Sequence, residues 1–327
     1  MFNLVGFKDQ FDYLIQHYLN RNLHSSIIFH GPKGIGKKTF INKFVSEILS
    51  IDYKNESYLH HINLYKNNSH PNIKILERLT DQKSKKIKNN ITIEQIRSIN
   101  KFIKESPSIN NLPKIIIIDS ADDLNTNSAN SFLKNLEEPS NNTFIFLISN
   151  HLSSLLPTIR SRCLKLKFSN HNYEDYKKII NEQIEFISED ETNFLFDLTY
   201  GSPGISISLY EENLLEIFEQ TLNSLSVGYI DENCIELAEF TSKFDNDKFK
   251  SYLLLLKSIL VIIKKIKNDN NVINSLISDR LKKLVNLSSI LTTKNIIDRF
   301  DFLSNNENDI FTYNLDKKLF MLKFLVS

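Results

Sequence analysis

The sequence predicts an α/β domain in the first half of the chain, a parallel sheet with helices on both faces, followed by all-α domains. Short apolar runs alternate there with stretches of helical spacing, which is typical of parallel strands joined by helices. Most of the strands are continuously apolar, as in a sheet that is covered on both faces, and LKLKFS alternates like a last strand. Strand patterns cease after about residue 169. A chain of 327 residues is long enough for two or three domains.

Each element is predicted from its own pattern. Strands are predicted, in chain order, at SSIIFHG, KIIIID, TFIFLISN and LKLKFS. Helices are predicted from Lys37 to about Ile48, at ITIEQIRSINKFIKES, and at SANSFLKNLEEP, which Pro139 ends, whereas LLPTIRSRC is a short turn or helix. From YEDYKKIINEQ onward the patterns are helical, and TYGSPG at residues 199–204 marks the clearest break.

Charge and composition exclude several classes of protein. The 40 basic and 39 acidic residues leave a net charge of +1, so no overall field draws the chain to nucleic acid. Cys163 and Cys234 are too few for a disulfide framework and indicate a reducing compartment, although they would suffice for one bridge. The first residues lack the apolar core of a secretory signal. Lys257 and the Lys264–Lys265 pair interrupt the apolar run 252–267, which favours a buried helix over a membrane span. We expect a cytoplasmic protein.

The stretch IIFHGPKGIGKKTF carries the pattern of a phosphate-binding loop. Its G-x-x-x-x-G-K residues follow a predicted strand and open a predicted helix, which is the context such a site needs. Glycines let backbone N–H groups converge on phosphate oxygens, and the lysine adds a full charge to the helix N-terminus. The candidate residues are Gly31, Gly34, Gly36 and Lys37. Two alternatives stand: a loop that still binds ATP or ADP weakly, and a glycine-rich turn without a ligand.

Two substitutions indicate that ATP hydrolysis is absent or feeble, and that no nucleotide or metal is required. Lys38 occupies the position where Ser or Thr would place a hydroxyl on Mg²⁺, and Thr39, one helical step later, points elsewhere. Asp119 ends an apolar strand, where a metal-facing carboxylate belongs, but Ser120 follows it in place of a glutamate that orients water. The Asp122–Asp123 pair is interpreted as charge at a helix N-terminus.

The same stretches resemble a known family. The delta-prime subunits of bacterial DNA polymerase III, clamp-loader proteins of the AAA+ class, are similar to this chain at GPKGIGK, HPNIKILER, IIIIDSADDLN, SANSFLKNLEEP and LLPTIRSRC. The resemblance is dense from Leu4 to about Phe168, weaker through GSPG, and beyond that agrees in length and helicity alone. It implies an AAA+ P-loop domain over residues 1–168, a small helical lid domain over 169–212, and a helical collar domain for oligomerisation over 213–327.

The resemblance also implies a place in a hetero-oligomeric ring of five subunits that opens a sliding clamp and places it on primed DNA. Its partners would be gamma/tau-type motor subunits and a delta-type subunit. Arg162, in the triplet Ser-Arg-Cys, would act in trans as an arginine finger on ATP held by a motor neighbour, because a guanidinium suits the charge of phosphoryl transfer. The alternative for Arg162 is an ordinary surface ion pair, and Arg160 is a second candidate.

Two sensor positions of the family are matched unequally. Ser149 and Asn150 fall where the family has a sensor between the acid-bearing strand and the γ-phosphate, and capping of the strand end is the alternative for both. A second sensor, normally an arginine near GSPG, is missing, because Ile205 and Ser206 follow that stretch. A missing sensor arginine adds to the losses at the phosphate loop.

Polar segments lie between the first predicted helix and the acid-bearing strand. Many relatives carry a four-cysteine zinc module there. We predict no zinc, because this region has no cysteine, and His60, His61 and His70 are too few and wrongly spaced. The basic run KSKKIK at 83–88 either faces DNA phosphates or forms a solvated loop.

Three functional hypotheses follow from these patterns. The leading one is a non-motor clamp-loader subunit, a non-catalytic part of a DNA-directed DNA polymerase holoenzyme, whose neighbours hydrolyse ATP. The alternative is a self-sufficient AAA+ ATPase such as a gamma/tau-type motor subunit, which needs a hydroxyl after Lys37, an acid after Asp119 and an arginine near Gly204. The third, an interaction scaffold outside replication, leaves the Ser-Arg-Cys triplet unexplained.

Overall fold

The chain divides after Ser169 into two units, Met1–Ser169 and Asn170–Ser327. The computed structural model describes residues 4–53, 57–79, 90–109, 112–140, 142–226, 229–269, 278, 281 and 283–326. The basic run 83–88 lies outside the described residues. The division into three domains at residues 168 and 212 stays a prediction.

Among the described residues, five parallel strands form the sheet of the first unit. They are β1 (Ser26–His30), β2 (Ile73–Leu76), β3 (Lys114–Ile118), β4 (Thr143–Ser149) and β5 (Leu164–Lys167), in the order β2-β3-β4-β1-β5. Phe29 is level with Ile148, and Ile118 with Leu147, so β4 separates β1 from β3. This parallel sheet confirms the predicted fold class.

Helices connect these strands. They are α1 (Lys8–Leu19), α2 (Lys37–Asp52), α3 (Ser57–Lys66), α4 (Ile93–Lys104), α5 (Thr126–Glu137) and α6 (Pro157–Arg162), and short 3₁₀ turns lie at Ala121–Asp123 and Leu152–Ser154. α2 continues beyond its predicted end near Ile48. The elements α1, α3 and β2 were not predicted.

Local sequence explains where these helices begin. Gly36 has a φ of 92°, and α2 starts at the next residue. Thr92 and Gln95 form a reciprocal capping box at the start of α4. The Asn125 side chain caps α5. Pro157 occupies the first position of α6, where the missing N–H has no helical partner to lose.

The central strands β1, β3 and β4 are buried on both faces, and their alternate residues point to opposite layers. One apolar cluster joins Ile27, Phe29, Ile115, Ile117, Phe146 and Ile148 to residues of α1 and α2. The other joins Ile28, Ile116, Ile118, Ile145 and Leu147 to residues of α4, α5 and α6. The sheet therefore lies between two packed helical layers, which position the carboxyl ends of its central strands.

All the regular elements among the described residues of the second unit are helices. Its helices are α7 (Tyr173–Gln183), α8 (Glu189–Thr199), α9 (Pro203–Glu211), α10 (Phe218–Ser226), α11 (Glu232–Ser242), α12 (Asn246–Asn268), α13 (Leu284–Ile290), α14 (Thr293–Tyr313) and α15 (Lys317–Val326). The apolar run 252–267 lies in α12, which is buried along one side, as predicted. Across the described ranges, no helix combines the length and apolar character that crossing a bilayer demands.

A buried arginine links three helices of the second unit. Arg299 of α14 is 2% exposed. Its Nη1 donates to the carbonyl of Leu225 in α10 at 3.0 Å, and its Nη2 donates to the carbonyl of Leu325 in α15 at 2.6 Å. Both carbonyls lie in the last turn of their helices, so the guanidinium satisfies acceptors that have no partner within the helix.

Candidate functional site

The phosphate loop keeps the backbone form that its glycines predict. Gly31, Gly34 and Gly36 have φ values of 154°, 79° and 92°. A Cβ on Gly31 would stand 2.2 Å from the carbonyl oxygen of Phe168, whereas a Cβ on Gly36 would meet nothing within 4 Å. Glycine is therefore required at Gly31 by a close approach of the chain, and at Gly36 by its left-handed conformation alone.

Lys37, the loop lysine, is bound to its own loop. Its Nζ donates to the carbonyls of Gly31 and Pro32 at 2.7 and 2.6 Å, and to Oδ1 of Asn150 at 2.9 Å. An ammonium has three donors, so these bonds use all of them. Burial lowers the pKa of Lys37 to about 8, against the opposing effect of Asp122 and Asp119. The charge that a phosphate would need is already engaged.

Lys38 lies where a metal ion would be held. Its Nζ is 2.5 Å from Oε1 of Glu77 and 3.2 Å from Oδ2 of Asp119. Burial lowers the pKa of Lys38, but the hydrogen bond to Glu77 and the charge of Asp119 outweigh it, and the pKa is raised. Mg²⁺ needs an octahedral shell of oxygens. With an ammonium against Asp119 and no hydroxyl at this position, the residues present do not fit a magnesium ion. Thr39 is exposed on α2.

Asp122 is the polar centre of the site. Its carboxylate accepts hydrogen bonds from the hydroxyls of Ser120 at 2.7 Å, Ser149 at 2.8 Å and Ser154 at 2.7 Å, and from the backbone N–H of Asn150 at 2.6 Å. Burial raises the pKa of Asp122, but these donors outweigh it, and the pKa is lowered. The interpretation as charge at a helix N-terminus was incomplete, because these donors come from the ends of two strands and from a separate turn.

Asn150 joins this centre to the phosphate loop. Ser149 is fully buried at the end of β4. The Asn150 side chain accepts from Lys37, and its backbone N–H donates to Asp122. Ser149 and Asn150 were predicted at the site, whereas the role of Asp122 was not. Parallel strands bring their carboxyl ends to one edge, so polar residues just after β3 and β4 were the available signal.

Arg162, the predicted arginine finger, is the last residue of α6 and reaches the surface. Its side chain is 34% exposed, and its Nη2 lies 2.6 Å from Oε1 of Glu137. Its Nη1 donates to the carbonyl of Thr158 at 2.9 Å and to Oγ of Ser161 at 3.3 Å. The guanidinium is therefore both accessible and paired. Among the described residues, Nε of Arg160 is buried without a hydrogen-bond partner.

The thiol of Cys163, next to Arg162, is buried. Burial raises its pKa to about 12, which Lys165 only partly offsets. A protonated thiol is a poor nucleophile and a poor metal ligand. The Ser-Arg-Cys triplet therefore combines an accessible guanidinium with an inert thiol that packs in the apolar cluster of α4, α5 and α6.

The histidines between α2 and β2 form a hydrogen-bonded pair. Nδ1 of His61 is 3.2 Å from Nε2 of His70. The backbone N–H of Asn72 donates to Nδ1 of His70 at 3.2 Å, which places the proton of a neutral His70 on Nε2. Burial lowers the pKa of His70 to about 4. Nε2 of His70 therefore donates to His61. Within the described ranges, no group of three or more His, Cys, Asp or Glu residues could hold a metal.

The stretch after GSPG is used for packing in the second unit. Ser206 is fully buried. Its Oγ accepts from the hydroxyl of Tyr176 at 2.7 Å and lies 2.8 Å from Oγ1 of Thr199. These bonds tie α9 to α7 and α8, and α9 itself carries no arginine.

The parallel sheet, the phosphate loop after β1 and the acid that follows β3 define a P-loop α/β domain, in which Lys37 binds the loop carbonyls and Lys38 lies beside Asp119. The chain belongs to the family described as DNA polymerase III, delta subunit, whose family model matches residues 7–172.

Relatives and solved structures extend this similarity. The DNA polymerase III subunit delta' of Pseudomonas aeruginosa is 30% identical over 141 residues, 42% of this chain and 41% of that protein. The chain thus spans less than half the length of that relative. The subunit delta' of Buchnera aphidicola subsp. Baizongia pistaciae is 26% identical over 315 residues, 92% of this chain and 90% of that protein. A gamma subunit-related protein of DNA polymerase III from Thermotoga maritima has 19% identity and a TM-score of 0.48, over 97% of both chains.

Proposed function

We propose that this chain is a delta-prime-type, non-motor subunit of a DNA polymerase III clamp loader, which helps to load the sliding clamp onto primed DNA during replication. Family membership and the names of the relatives support the complex to which it belongs. The observation that carries the non-motor role is the ammonium of Lys38 between Glu77 and Asp119. We expect a hetero-oligomer with gamma/tau-type motor subunits and a delta-type subunit.

The chain does not hydrolyse ATP in this proposal and requires no nucleotide. Hydrolysis needs a metal to neutralise the phosphates and a group that orients water. Lys38, rather than a residue that could bind a metal, lies beside Asp119. The hydroxyl of Ser120 donates a hydrogen bond to Asp122, and Ser120 does not act as the group that orients water. Both substituted residues, Lys38 and Ser120, lie in the first unit. The second sensor arginine is missing from α9, in the second unit.

In this proposal the guanidinium of Arg162 acts in trans, on ATP that a neighbouring motor subunit binds. Its guanidinium is partly exposed, and its partner Glu137 is 46% exposed. A carboxylate and a phosphate oxygen accept the same fork of N–H donors. The arginine can therefore exchange Glu137 for a phosphate without leaving a charge unpaired in a dry interior.

The test is the variant Arg162→Ala in a complex assembled with gamma/tau-type and delta-type subunits. We expect assembly to be unchanged and the rate at the site that Arg162 serves to fall by about 10³-fold, as for other arginine fingers. Pre-steady-state ATP hydrolysis and size-exclusion chromatography measure the two effects.

Arg97→Ala is the matched control, because Arg97 is exposed on α4 of the same unit. Unchanged hydrolysis in the Arg162 variant would overturn the in-trans role. If Arg160→Ala alone removes the activity, the finger is Arg160 and the assignment to Arg162 is wrong.

A further inference from the structure

We infer that Asp122 is a positioning residue for Arg162, because its carboxylate binds the 3₁₀ turn that precedes α6. This inference rests on the proposed function, in which Arg162 acts on a neighbour's ATP. Asp122 acts through the three serines and the backbone N–H whose hydrogen bonds its carboxylate accepts.

The four donors come from three separate places in the first unit. Ser120 follows β3, Ser149 and Asn150 end β4, and Ser154 closes the 3₁₀ turn Leu152–Ser154. Oδ1 accepts from Ser149 and Ser154, and Oδ2 accepts from Ser120 and Asn150. Hydrogen bonds to a charged acceptor are shorter and stronger than those between neutral groups. One carboxylate therefore holds two strand ends and a turn in register.

The turn held by Asp122 leads directly into the arginine helix. Leu155 follows Ser154 and is 4% exposed, and α6 begins at Pro157. The backbone N–H groups of Ile159 and Arg160 donate to the carbonyl of Leu156 at 3.0 and 3.1 Å, which forms the first turn of α6. A shift of Ser154 would therefore move the base of a helix of six residues that ends at Arg162.

The other side of Asp122 leads to the phosphate loop. Asn150 donates its backbone N–H to Asp122 and accepts from Lys37 through Oδ1. The partner of its Oδ1 is a lysine of the same chain, so this contact does not depend on a nucleotide.

The test compares carboxylate substitutions in the assembled complex. Asp122→Asn removes the charge and leaves one acceptor oxygen, so the donors around position 122 lose the charged acceptor that makes these hydrogen bonds strong. We expect kcat at the served site to fall between ~10-fold and ~100-fold, since small misplacements of catalytic groups have effects of this size. The KM for ATP should be unchanged, because the binding site belongs to the neighbour. Ser154→Ala, which removes one exposed hydroxyl, should lower kcat in the same direction.

Asp123→Asn is the matched control. Asp123 is the adjacent residue, is 23% exposed and pairs through Oδ2 with Nε of Arg78 at 3.2 Å. Its variant should leave kcat unchanged.

The decisive measurement repeats Asp122→Asn in an Arg162→Ala background. A positioning residue has no further effect once the arginine is gone, so the two losses should not add. Additive losses, or unchanged kcat in both Asp122→Asn and Ser154→Ala while Arg162→Ala is impaired, would overturn the inference alone. An unimpaired Arg162→Ala complex would overturn the proposed function and this inference together. Should Asp122→Asn fail to fold, Ser154→Ala in both backgrounds decides the question.

Discussion

Lys37 and Lys38 are adjacent residues whose ammonium groups bind different partners at the phosphate loop. Lys37 satisfies the carbonyls of Gly31 and Pro32, and Lys38 reaches the carboxylates of Glu77 and Asp119. The loop is thereby stabilised by cations of the chain itself. Conflict between Lys38 and a metal could be predicted from the sequence, because the motif fixes the position of residue 38. Glu77 could not, because no motif links the end of β2 to the loop.

At this scale, we expect the double variant Lys38→Thr/Ser120→Glu to gain magnesium-dependent binding of ATP. It removes the ammonium from Asp119, adds a hydroxyl for the metal and supplies a carboxylate next to Asp119. Binding should be at least about tenfold tighter with Mg²⁺ than without it, a difference of about 1.4 kcal/mol. Titration calorimetry with and without Mg²⁺ measures this.

Lys43→Thr is the control for that variant, since Lys43 lies on the same helix and pairs with Glu47. Lys38→Thr alone tests the removal of the ammonium and leaves intact the hydrogen bond that Asp122 accepts from the hydroxyl of Ser120. Equal affinity with and without Mg²⁺ in both variants would show that the ammonium is not what excludes the metal.

Secondary-structure elements were predictable where the apolar pattern was long and not interrupted by polar residues. β3 and β4 are continuous β-branched and aromatic runs, and the structure has both of them. β2 is four residues long and contains the exposed Lys74, so its sequence had neither the length nor the purity of a buried strand. The site followed the same rule. The loop and Arg162 come from contiguous motifs, whereas the role of Asp122 depends on residues that only the folded sheet brings together.

Arg299 provides a test at the scale of whole helices. Arg299→Met removes two hydrogen bonds from a charged donor and leaves the carbonyls of Leu225 and Leu325 buried without it. We expect a loss of about 3 kcal/mol, or roughly 10² in the exchange rate of amides in α10 and α15. Hydrogen exchange on the full chain measures it. Lys294→Met, an exposed change on the same helix, should leave that protection intact, and equal exchange in both variants would contradict the linking role of Arg299.

For the whole molecule, the proposal separates a chain that hydrolyses ATP from one that helps its neighbours to do so. We expect the isolated chain to turn over ATP far below ~1 s⁻¹, the low end of ordinary enzyme rates. A coupled assay on the purified chain measures this, with a gamma/tau-type subunit as the positive control. Turnover near ~1 s⁻¹ that is lost in Lys37→Ala would identify the chain as a motor.

The close approach of Gly31 to Phe168 joins the phosphate loop to the end of the first unit. A residue near the start of this unit touches the backbone of one near its end, and the backbone N–H of Phe168 also donates to the carbonyl of His30 at 2.8 Å. Even an alanine at position 31 would have to displace a carbonyl group, which a packed interior resists. Phe168, near the end of the first unit, is thus anchored to the phosphate loop, and a methyl group at position 31 would loosen that attachment.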